Sequence, residues 1–140
     1  MYVSELMSTR IISVRVEDSV EYAARLMNRY EIGAIPVTCG QMLCGMLTDR
    51  DIVVRCVAEG RNPKECQAGD IMTGDTYSIA PLESISKAIR LMGEHRVWRL
   101  PVVEDCRIRG MLSIGDIARA TQDMEFAKAL GEISPPAQRD

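Results

Sequence analysis

The chain has 140 residues, a formal net charge of −3 and a hydrophobic fraction of 46%. This length allows one domain, or two small ones that share a core, and the acidic balance argues against a nucleic-acid-binding protein, which normally carries a basic face. Since no apolar run is long enough to span a membrane and the N-terminus lacks a signal-peptide stretch, we expect a cytoplasmic protein without a membrane partner.

The first predicted elements are a strand and a helix. The β-branched run at 11–16 is typical of a short strand. Ser19 is placed to cap a helix over 20–30, in which Val20, Ala23, Ala24 and Met27 keep the i, i+3, i+4, i+7 spacing of one buried face.

A β-hairpin and a second helix follow. The segments "AIPVT" and "LCGMLT" alternate as strands on either side of the turn "CGQM". The segment "DRDIVVRCVAEG" then predicts a helix that ends near Gly60. The predicted order is therefore β-α-β-β-α.

The same order occurs a second time, 65 residues later and without a gap. Over residues 3–57, 14 of 55 positions are identical to their counterparts, including "GML" in the third strand of each copy. Ser84 again precedes a helical stripe, and a second hairpin leads into a helix that begins at Ile114. We expect repeat 1 over 3–60, a linker at 61–67, repeat 2 over 68–122, and a C-terminal helix and tail over 123–140. The linker lies in a polar segment that extends to Asp70.

Five cysteines occur without a CxxC pair, and His95 is the single histidine. Neither pattern indicates a metal site. We expect free and mostly buried thiols, although Cys39 and Cys44 flank the predicted turn, which leaves a redox role open.

The sequence (Ser/Thr)-x-x-Asp occurs at the start of the last helix in each repeat, as Thr48 with Asp51 and as Ser113 with Asp116. One interpretation is a capping box, in which the hydroxyl and the carboxylate satisfy free backbone N–H groups. Another is a ligand site, because a helix N-terminus attracts phosphate and a carboxylate accepts hydrogen bonds from a vicinal diol such as that of ribose. The two roles are compatible.

The order, spacing and duplication of these segments resemble the CBS domain pair, also called the Bateman module. The resemblance covers about residues 3–122 and rests on "LMS" and "IMT" before the repeats, "IPV" and "LPV" in the hairpins, and "GML" followed by "DI". It implies an α+β fold of two β-α-β-β-α repeats packed with pseudo-two-fold symmetry. It also implies a non-enzymatic, stand-alone bacterial regulatory module that forms a homodimer and acts through an unidentified regulated protein.

Members of this family commonly bind AMP, ADP, ATP, S-adenosylmethionine or NAD in clefts between the repeats, as regulatory ligands rather than required cofactors. By resemblance, Thr48, Asp51, Ser113 and Asp116 hold ribose and phosphate, and Arg99 contacts phosphate. Arg50, which lies inside the first motif, is a further candidate for binding ribose or phosphate. The implied adenine pocket is formed by the first strands and the hairpin prolines: Ile11, Ile12, Ala34, Ile35, Pro36, Thr76, Tyr77, Leu100 and Pro101. Ordinary core packing remains the alternative for these apolar positions.

The two predicted sites differ in charge. Arg99 corresponds to Ala34 in repeat 1, and Arg50 corresponds to Gly115 in repeat 2. We therefore expect that one site binds phosphate better than the other, or that only one site is occupied. The alternative function is a protein-interaction or dimerisation module whose clefts stay empty. No P-loop, GxSxG or HExxH motif indicates an enzyme, and no catalytic or metal-binding residue is predicted.

Overall fold

The computed structural model describes residues 1–120 and 131–132, and it has the predicted α+β class and the two tandem repeats. The predicted C-terminal helix lies almost wholly outside the described residues. The strands are β1 (Val14–Arg15), β2 (Ala34–Cys39), β3 (Met42–Thr48), β4 (Arg99–Glu104) and β5 (Arg107–Ser113). The helices are α1 (Val3–Leu6), α2 (Val20–Tyr30), α3 (Asp49–Asp51), α4 (Ala68–Ile71), α5 (Ile85–His95) and α6 (Ile114–Ala120), and α3 continues as a π-helical segment over Ile52–Val57.

The long helices α2 and α5 begin where the sequence predicts. Ser19 Oγ accepts a hydrogen bond from the N–H of Tyr22, and Ser84 Oγ accepts one from the N–H of Lys87, both at 3.1 Å. Both helices end at residues in the left-handed conformation, Glu31 and Arg96. The shared start and end confirm that the two repeats encode the same helix.

The two hairpins also match in register. In each, the strands are joined by two residues, and one extra residue forms a β-bulge at the same place, Cys44 in β3 and Arg109 in β5. The inward-facing side chains of the hairpins, such as Leu47 and Leu112, are fully buried. The hairpin predictions are therefore confirmed in both repeats.

The first strands are shorter than the sequence predicts. Only Val14 and Arg15 pair with β2, because a turn closed by Asp18 follows at once: Asp18 Oδ2 accepts from the N–H of Arg15 and Asp18 N–H donates to the Arg15 carbonyl. In repeat 2 only Ile79 bridges to β4. Pro81 lies there at the position equivalent to Val16, whose N–H donates to the sheet, and proline has no N–H to offer.

The chain forms two compact units whose boundaries cross the sequence repeats. One unit, here called the first unit, is Ile12–Thr76, and the second unit combines Met1–Ile11 with the chain from Tyr77 onward. Helix α4 lies at the start of repeat 2 in sequence but buries Ala68 and Ile71 in the core of the first unit. Helix α1 lies at the start of repeat 1 but buries Val3 in the core of the second unit. Neither short helix is predicted by the sequence, and α4 begins inside the segment expected to be a polar connector.

Main-chain hydrogen bonds join the residues after each of these short helices to a strand of the same unit, β3 in the first unit and β5 in the second. Met46 and Thr73 exchange two bonds of 3.0 and 2.9 Å, and Ser8 and Met111 exchange two of 2.8 and 2.9 Å. The adjacent residue, Gly45, has no room for a side chain, since a Cβ there would lie 2.6 Å from the Thr73 carbonyl oxygen. The repeated glycine of "GML" is thus explained by backbone contact.

The cysteines depart from the expectation of free thiols. Cys56 and Cys66 are free and buried, and Cys106 is free but exposed. Cys39 and Cys44 form a disulfide across the β2–β3 hairpin, with their Cα atoms 6.0 Å apart. The prediction of free thiols is therefore wrong for this pair, because the β-bulge brings Cys44 next to Cys39. Within the described parts of the chain, no helix combines the length and the apolar character needed to cross a membrane.

We predict that Gly45→Ala lowers the free energy of unfolding by about 1–3 kcal/mol, the usual range for overpacking a filled interior, because the new methyl group meets main-chain atoms that cannot rotate away. Denaturant unfolding measures this change. Gly74→Ala is the matched control, since a Cβ at Gly74 has no atom within 4 Å. Equal stability of the two variants would contradict the close approach.

Candidate functional site

The junction between β3 and α3 contains a complete capping box. Thr48 Oγ1 accepts a hydrogen bond from the N–H of Asp51, and Asp51 Oδ2 accepts one from the N–H of Thr48, both at 3.0 Å. The side chains therefore satisfy two backbone N–H groups at the end of the strand and the start of the helix. The capping interpretation is confirmed at this junction.

The junction between β5 and α6 repeats the arrangement. Ser113 Oγ accepts from the N–H of Asp116 at 3.1 Å, and Asp116 Oδ2 accepts from the N–H of Ser113 at 2.9 Å. Both aspartate side chains keep limited access to solvent, 13% for Asp51 and 16% for Asp116. Each carboxylate thus uses one oxygen for the backbone and has a second oxygen available for another partner.

That second oxygen faces an arginine of the following helical turn in both units. Asp51 Oδ1 lies 3.9 Å from Arg55 Nε, and Asp116 Oδ1 accepts a hydrogen bond from Arg119. Arg55 also donates to the carbonyl oxygens of Ile71 and Met72 at the end of α4. The arginine side chains are half-exposed or more, although the aspartates are mostly buried, and solvent around the arginine weakens such ion pairs. A ligand that offers better hydrogen bonds can replace them at little cost.

The backbone N–H groups of the first helical turn differ between the two junctions. At the first, Asp49 N–H donates to the Gly33 carbonyl at 2.9 Å, and the Asp49 carboxylate accepts the N–H of Arg50. At the second, Ile114 N–H donates to the Trp98 carbonyl at 2.8 Å. No described side chain caps the next N–H, at Gly115. The first residue of the helix is thus the acidic Asp49 at the first junction and the uncharged Ile114 at the second.

The two candidate phosphate-binding arginines have different surroundings. Arg99 is half-buried in β4 and pairs directly with Ser113 of β5, and residues paired in this way have Cβ atoms about 4.5–5.5 Å apart. The equivalent pair in the first unit is Ala34 and Thr48, which brings no charge. Arg50 is exposed. The hydroxyl residue is therefore paired with a basic residue in the second unit and with alanine in the first.

The candidate adenine-pocket residues fall into three groups by burial. Ile35 and Leu100 are fully buried members of the two hydrophobic cores, as the core-packing alternative expects, and the neighbouring Pro36 and Pro101 are buried as well. Tyr77 is half-exposed and stacks on His95 with ring centroids 3.5 Å apart. The half-buried remainder is Ile11, Ile12, Ala34 and Thr76.

The candidate site residues are divided between the two units. The first unit contains Ile12, Ala34, Ile35, Pro36, Thr48, Arg50, Asp51 and Thr76. The second contains Ile11, Tyr77, Arg99, Leu100, Pro101, Ser113 and Asp116. Within each unit, strand pairing places the first residue of the hairpin, Ala34 or Arg99, opposite the capping hydroxyl residue at the end of the hairpin, Thr48 or Ser113.

Sequence reasoning missed three side chains at these junctions, namely Asp49, Arg55 and Arg119. The two arginines follow their aspartates at i+4 and i+3, the spacing at which helical side chains interact, so that spacing could have indicated them. Asp49 had no such signal, because its place beside Gly33 depends on the folded hairpin.

Comparison with known proteins identifies the family. The model of the CBS domain matches residues 3–57 and again residues 68–123. The chain belongs to the CBS domain family. CBS domain-containing protein YhcV of Bacillus subtilis is 36% identical over 133 residues, which cover 94% of each chain. Hypoxic response protein 1 of Mycobacterium tuberculosis is 34% identical over 131 residues, covering 90% of this chain and 91% of that protein.

A solved relative has the same fold. The crystal structure of Hypoxic Response Protein I with two coordinated zinc ions superposes with a TM-score of 0.80 at 32% identity, covering 87% of this CBS protein and all of that chain. Those zinc ions belong to the relative's structure. Across residues 1–120 and 131–132 of the present chain, no three histidine, cysteine or acidic side chains are grouped so that they could hold a metal ion.

Proposed function

We propose that this CBS protein is a non-catalytic regulatory module of the cytoplasm that binds an adenosine-type ligand at its strand–helix junctions. The ligand class comprises AMP, ADP, ATP, S-adenosylmethionine and NAD. The observation that carries the proposal is the pair of aspartates, Asp51 and Asp116. Each is fixed by a capping box through one oxygen and directs the other toward an exposed arginine.

The chemistry of ribose fits this geometry. A vicinal diol offers two O–H donors, and an ionised carboxylate accepts hydrogen bonds that are stronger than those between neutral groups. Because the capping bond holds Asp51 in one orientation, little side-chain entropy is lost when a diol binds. The diol would displace Arg55 from the second oxygen, and Arg55 would keep its two carbonyl acceptors at the end of α4.

The aspartates alone do not select adenosine; the base needs an apolar surface. Half-buried Ile12, Ala34 and Thr76 in the first unit, and Ile11 in the second, supply apolar atoms outside the cores. Tyr77 supplies an aromatic ring of the kind that stacks on bases. The buried Ile35 and Leu100 contribute by fixing the strands rather than by touching a ligand.

The two junctions are not equivalent toward phosphate. The second junction has Arg99 beside Ser113 and an N–H at Gly115 that no described side chain caps. The first has Ala34 at the equivalent position, and the Asp49 carboxylate already accepts the N–H of Arg50. We therefore propose that phosphate-bearing ligands bind the second junction more tightly, and that a regulated protein responds to its occupancy.

We predict that millimolar adenine nucleotide raises the melting temperature of the wild-type protein, measured by thermal shift with AMP, ADP, ATP, S-adenosylmethionine and NAD. A ligand at one hundred times its Kd stabilises the folded state by about 2.7 kcal/mol, which corresponds to a shift on the order of 10 °C for a chain of this size. The Asp51→Ala, Asp116→Ala double variant should lose the shift.

Asp70→Ala is the matched control for the loss of a cap. Asp70 Oδ2 accepts the N–H of Gln67 at 3.1 Å in the same helical position, so its removal costs a comparable cap and should leave the nucleotide shift intact. If none of the five ligands shifts the melting temperature, the result favours an interaction module with empty sites. An equal loss of the shift in Asp70→Ala would show that the aspartates act only through folding.

We predict that Arg99→Met weakens ATP and ADP binding about tenfold, equivalent to one charge-assisted contact of about 1.4 kcal/mol, and leaves adenosine binding unchanged. Isothermal titration calorimetry measures both. Arg107→Met, at an exposed arginine of the same hairpin, is the control. Two equal and independent nucleotide sites in the wild-type protein would contradict the proposed difference.

We further propose that the protein forms a homodimer through its helices. Val53, Val54 and Val57 of the π-helical segment are 58%, 46% and 61% exposed. Clustered exposed apolar side chains mark interaction surfaces. The equivalent positions in repeat 2 are Ala118, Arg119 and Gln122, which are less apolar, so this surface is a feature of repeat 1.

We predict that Val57→Glu halves the solution mass at micromolar concentration, because it places a charge in the apolar contact. Size-exclusion chromatography with light scattering gives that mass. Met42→Glu is the control, since Met42 is also about half-exposed but lies beside the hairpin turn. A monomeric wild-type protein, or a dimer that Val57→Glu leaves unchanged, would refute the interface.

A further inference from the structure

The disulfide between Cys39 and Cys44 closes the tip of the repeat 1 hairpin. Cys39 is the last residue of β2, and Cys44 is the residue of β3 that the bulge leaves without a strand partner. Their Cα atoms are 6.0 Å apart, within the range that a disulfide spans without backbone movement. The bulge therefore creates the position from which Cys44 reaches Cys39.

The hairpin of repeat 2 has other residues at the two positions of this cysteine pair. The residues 65 positions later are Glu104 and Arg109, and Arg109 is again the bulge residue. They form an ion pair with Arg109 Nε 3.5 Å from Glu104 Oε1, and both side chains are about half-exposed. A link at the hairpin tip is thus present in both repeats, but only the one in repeat 1 depends on oxidation.

The covalent link adds on the order of 2 kcal/mol to the stability of the hairpin, less than a disulfide that closes a long loop. It closes a loop of only a few residues, and the entropy that a disulfide removes from the unfolded chain falls as the loop becomes shorter. Strands β2 and β3 remain paired from Ala34 with Thr48 to Cys39 with Met42. The hairpin can therefore stay folded when the bond is reduced.

The position of the pair favours chemistry with solvent species. Cys39 is exposed and Cys44 is half-buried, whereas the free Cys56 and Cys66 lie in the core of the first unit. Burial raises the pKa of the Cys66 thiol, which lowers its thiolate fraction and hence its reactivity. Among the described cysteines, only Cys39 and Cys44 combine access with a neighbouring thiol partner.

We propose that Cys39 and Cys44 form a reversible thiol–disulfide exchange site that takes low-molecular-weight disulfides and thiols as its redox partners. In the oxidising direction the Cys39 thiolate attacks one sulfur of a disulfide RSSR and releases RS⁻. The Cys44 thiolate then attacks the Cys39 sulfur of the mixed disulfide and releases a second RS⁻, so that two thiols and RSSR give one protein disulfide and two RSH. Two thiols reverse the reaction.

This site is independent of the proposed nucleotide function. The cysteines lie at the turn end of the hairpin, whereas Ala34 and Thr48 lie at its opposite end. At about 3.3 Å per strand residue the two ends are roughly 16 Å apart. Loss of nucleotide binding would therefore leave the redox proposal standing, and the reverse also holds.

The test uses the full chain in a Cys106→Ser background, which removes the other exposed thiol. The protein is equilibrated in buffers of defined reduced-to-oxidised glutathione ratio, quenched with acid, alkylated under denaturing conditions and mapped by mass spectrometry. We expect Cys39 and Cys44 to change together from fully oxidised to fully reduced across this series, while Cys56 and Cys66 remain thiols throughout. A pair that stays fully oxidised or fully reduced at every ratio would overturn the proposal.

Single variants test the order of attack. With Cys44→Ser, Cys39 should accumulate as a mixed disulfide with glutathione. With Cys39→Ser, the less exposed Cys44 should react at least about tenfold more slowly, as access controls thiol reactivity. Equal rates would contradict the assigned roles.

The double variant Cys39→Glu, Cys44→Arg copies the ion pair of repeat 2 and is the matched control. It should keep the circular dichroism spectrum, melt no lower than the reduced wild type, and show no dependence of melting on the glutathione ratio. If reduction of the wild-type pair unfolds the protein, the disulfide is a structural bond and the proposal fails.

Discussion

The backbone of Thr73 lies against Gly45, and the backbone of Ser8 lies against Gly110, so closely that neither glycine has room for a methyl group. Two reciprocal main-chain hydrogen bonds hold each approach. An antiparallel contact of this kind fixes the last residues of β3 and of β5 in position and direction. The contact therefore also positions the capping hydroxyl and the helix that follow each strand.

The site is therefore built by segments distant in sequence. The Met72–Thr73 segment that contacts β3 lies in repeat 2, and the Met7–Ser8 segment that contacts β5 lies in repeat 1. In the first unit, Arg55 adds to this link, because it joins the α3 end of the capping box to the last carbonyls of α4. These bonds hold the carboxylate of Asp51 in place, and preorganisation of this kind lowers the entropic cost of binding the ligand that we propose.

Much of the fold could be predicted because its signals are local. Ser19, Ser84 and a regular apolar stripe predict helices α2 and α5. Alternating apolar and polar residues on either side of a short turn predict the hairpins. The helices α1 and α4 could not be predicted in the same way, since four residues are too few to show a period, and their partners lie far along the chain. For the same reason the sequence could not place Val3 in the core of repeat 2.

The candidate site was predictable as far as its residue types and its caps. Thr48 with Asp51 and Ser113 with Asp116 form the expected bonds. Arg55 and Arg119, at the second carboxylate oxygens, were not predicted, although their i+4 and i+3 spacing from the aspartates is visible in the sequence. The disulfide of Cys39 and Cys44 depends on a bulge, and a bulge is invisible in a pattern of alternating residues because it shifts the pairing without changing the composition.

Duplication separates what the backbone requires from what the side chains can vary. Glycine, the capping hydroxyl and the capping aspartate occur in both copies because backbone contacts demand them. Where the side chain faces solvent or a possible ligand, the copies differ: Ala34 opposes Thr48 but Arg99 opposes Ser113, and a cysteine pair in one hairpin corresponds to the ion pair of Glu104 and Arg109 in the other. These side-chain differences on a shared backbone are the physical basis of our two proposals, phosphate binding in repeat 2 and thiol oxidation in repeat 1.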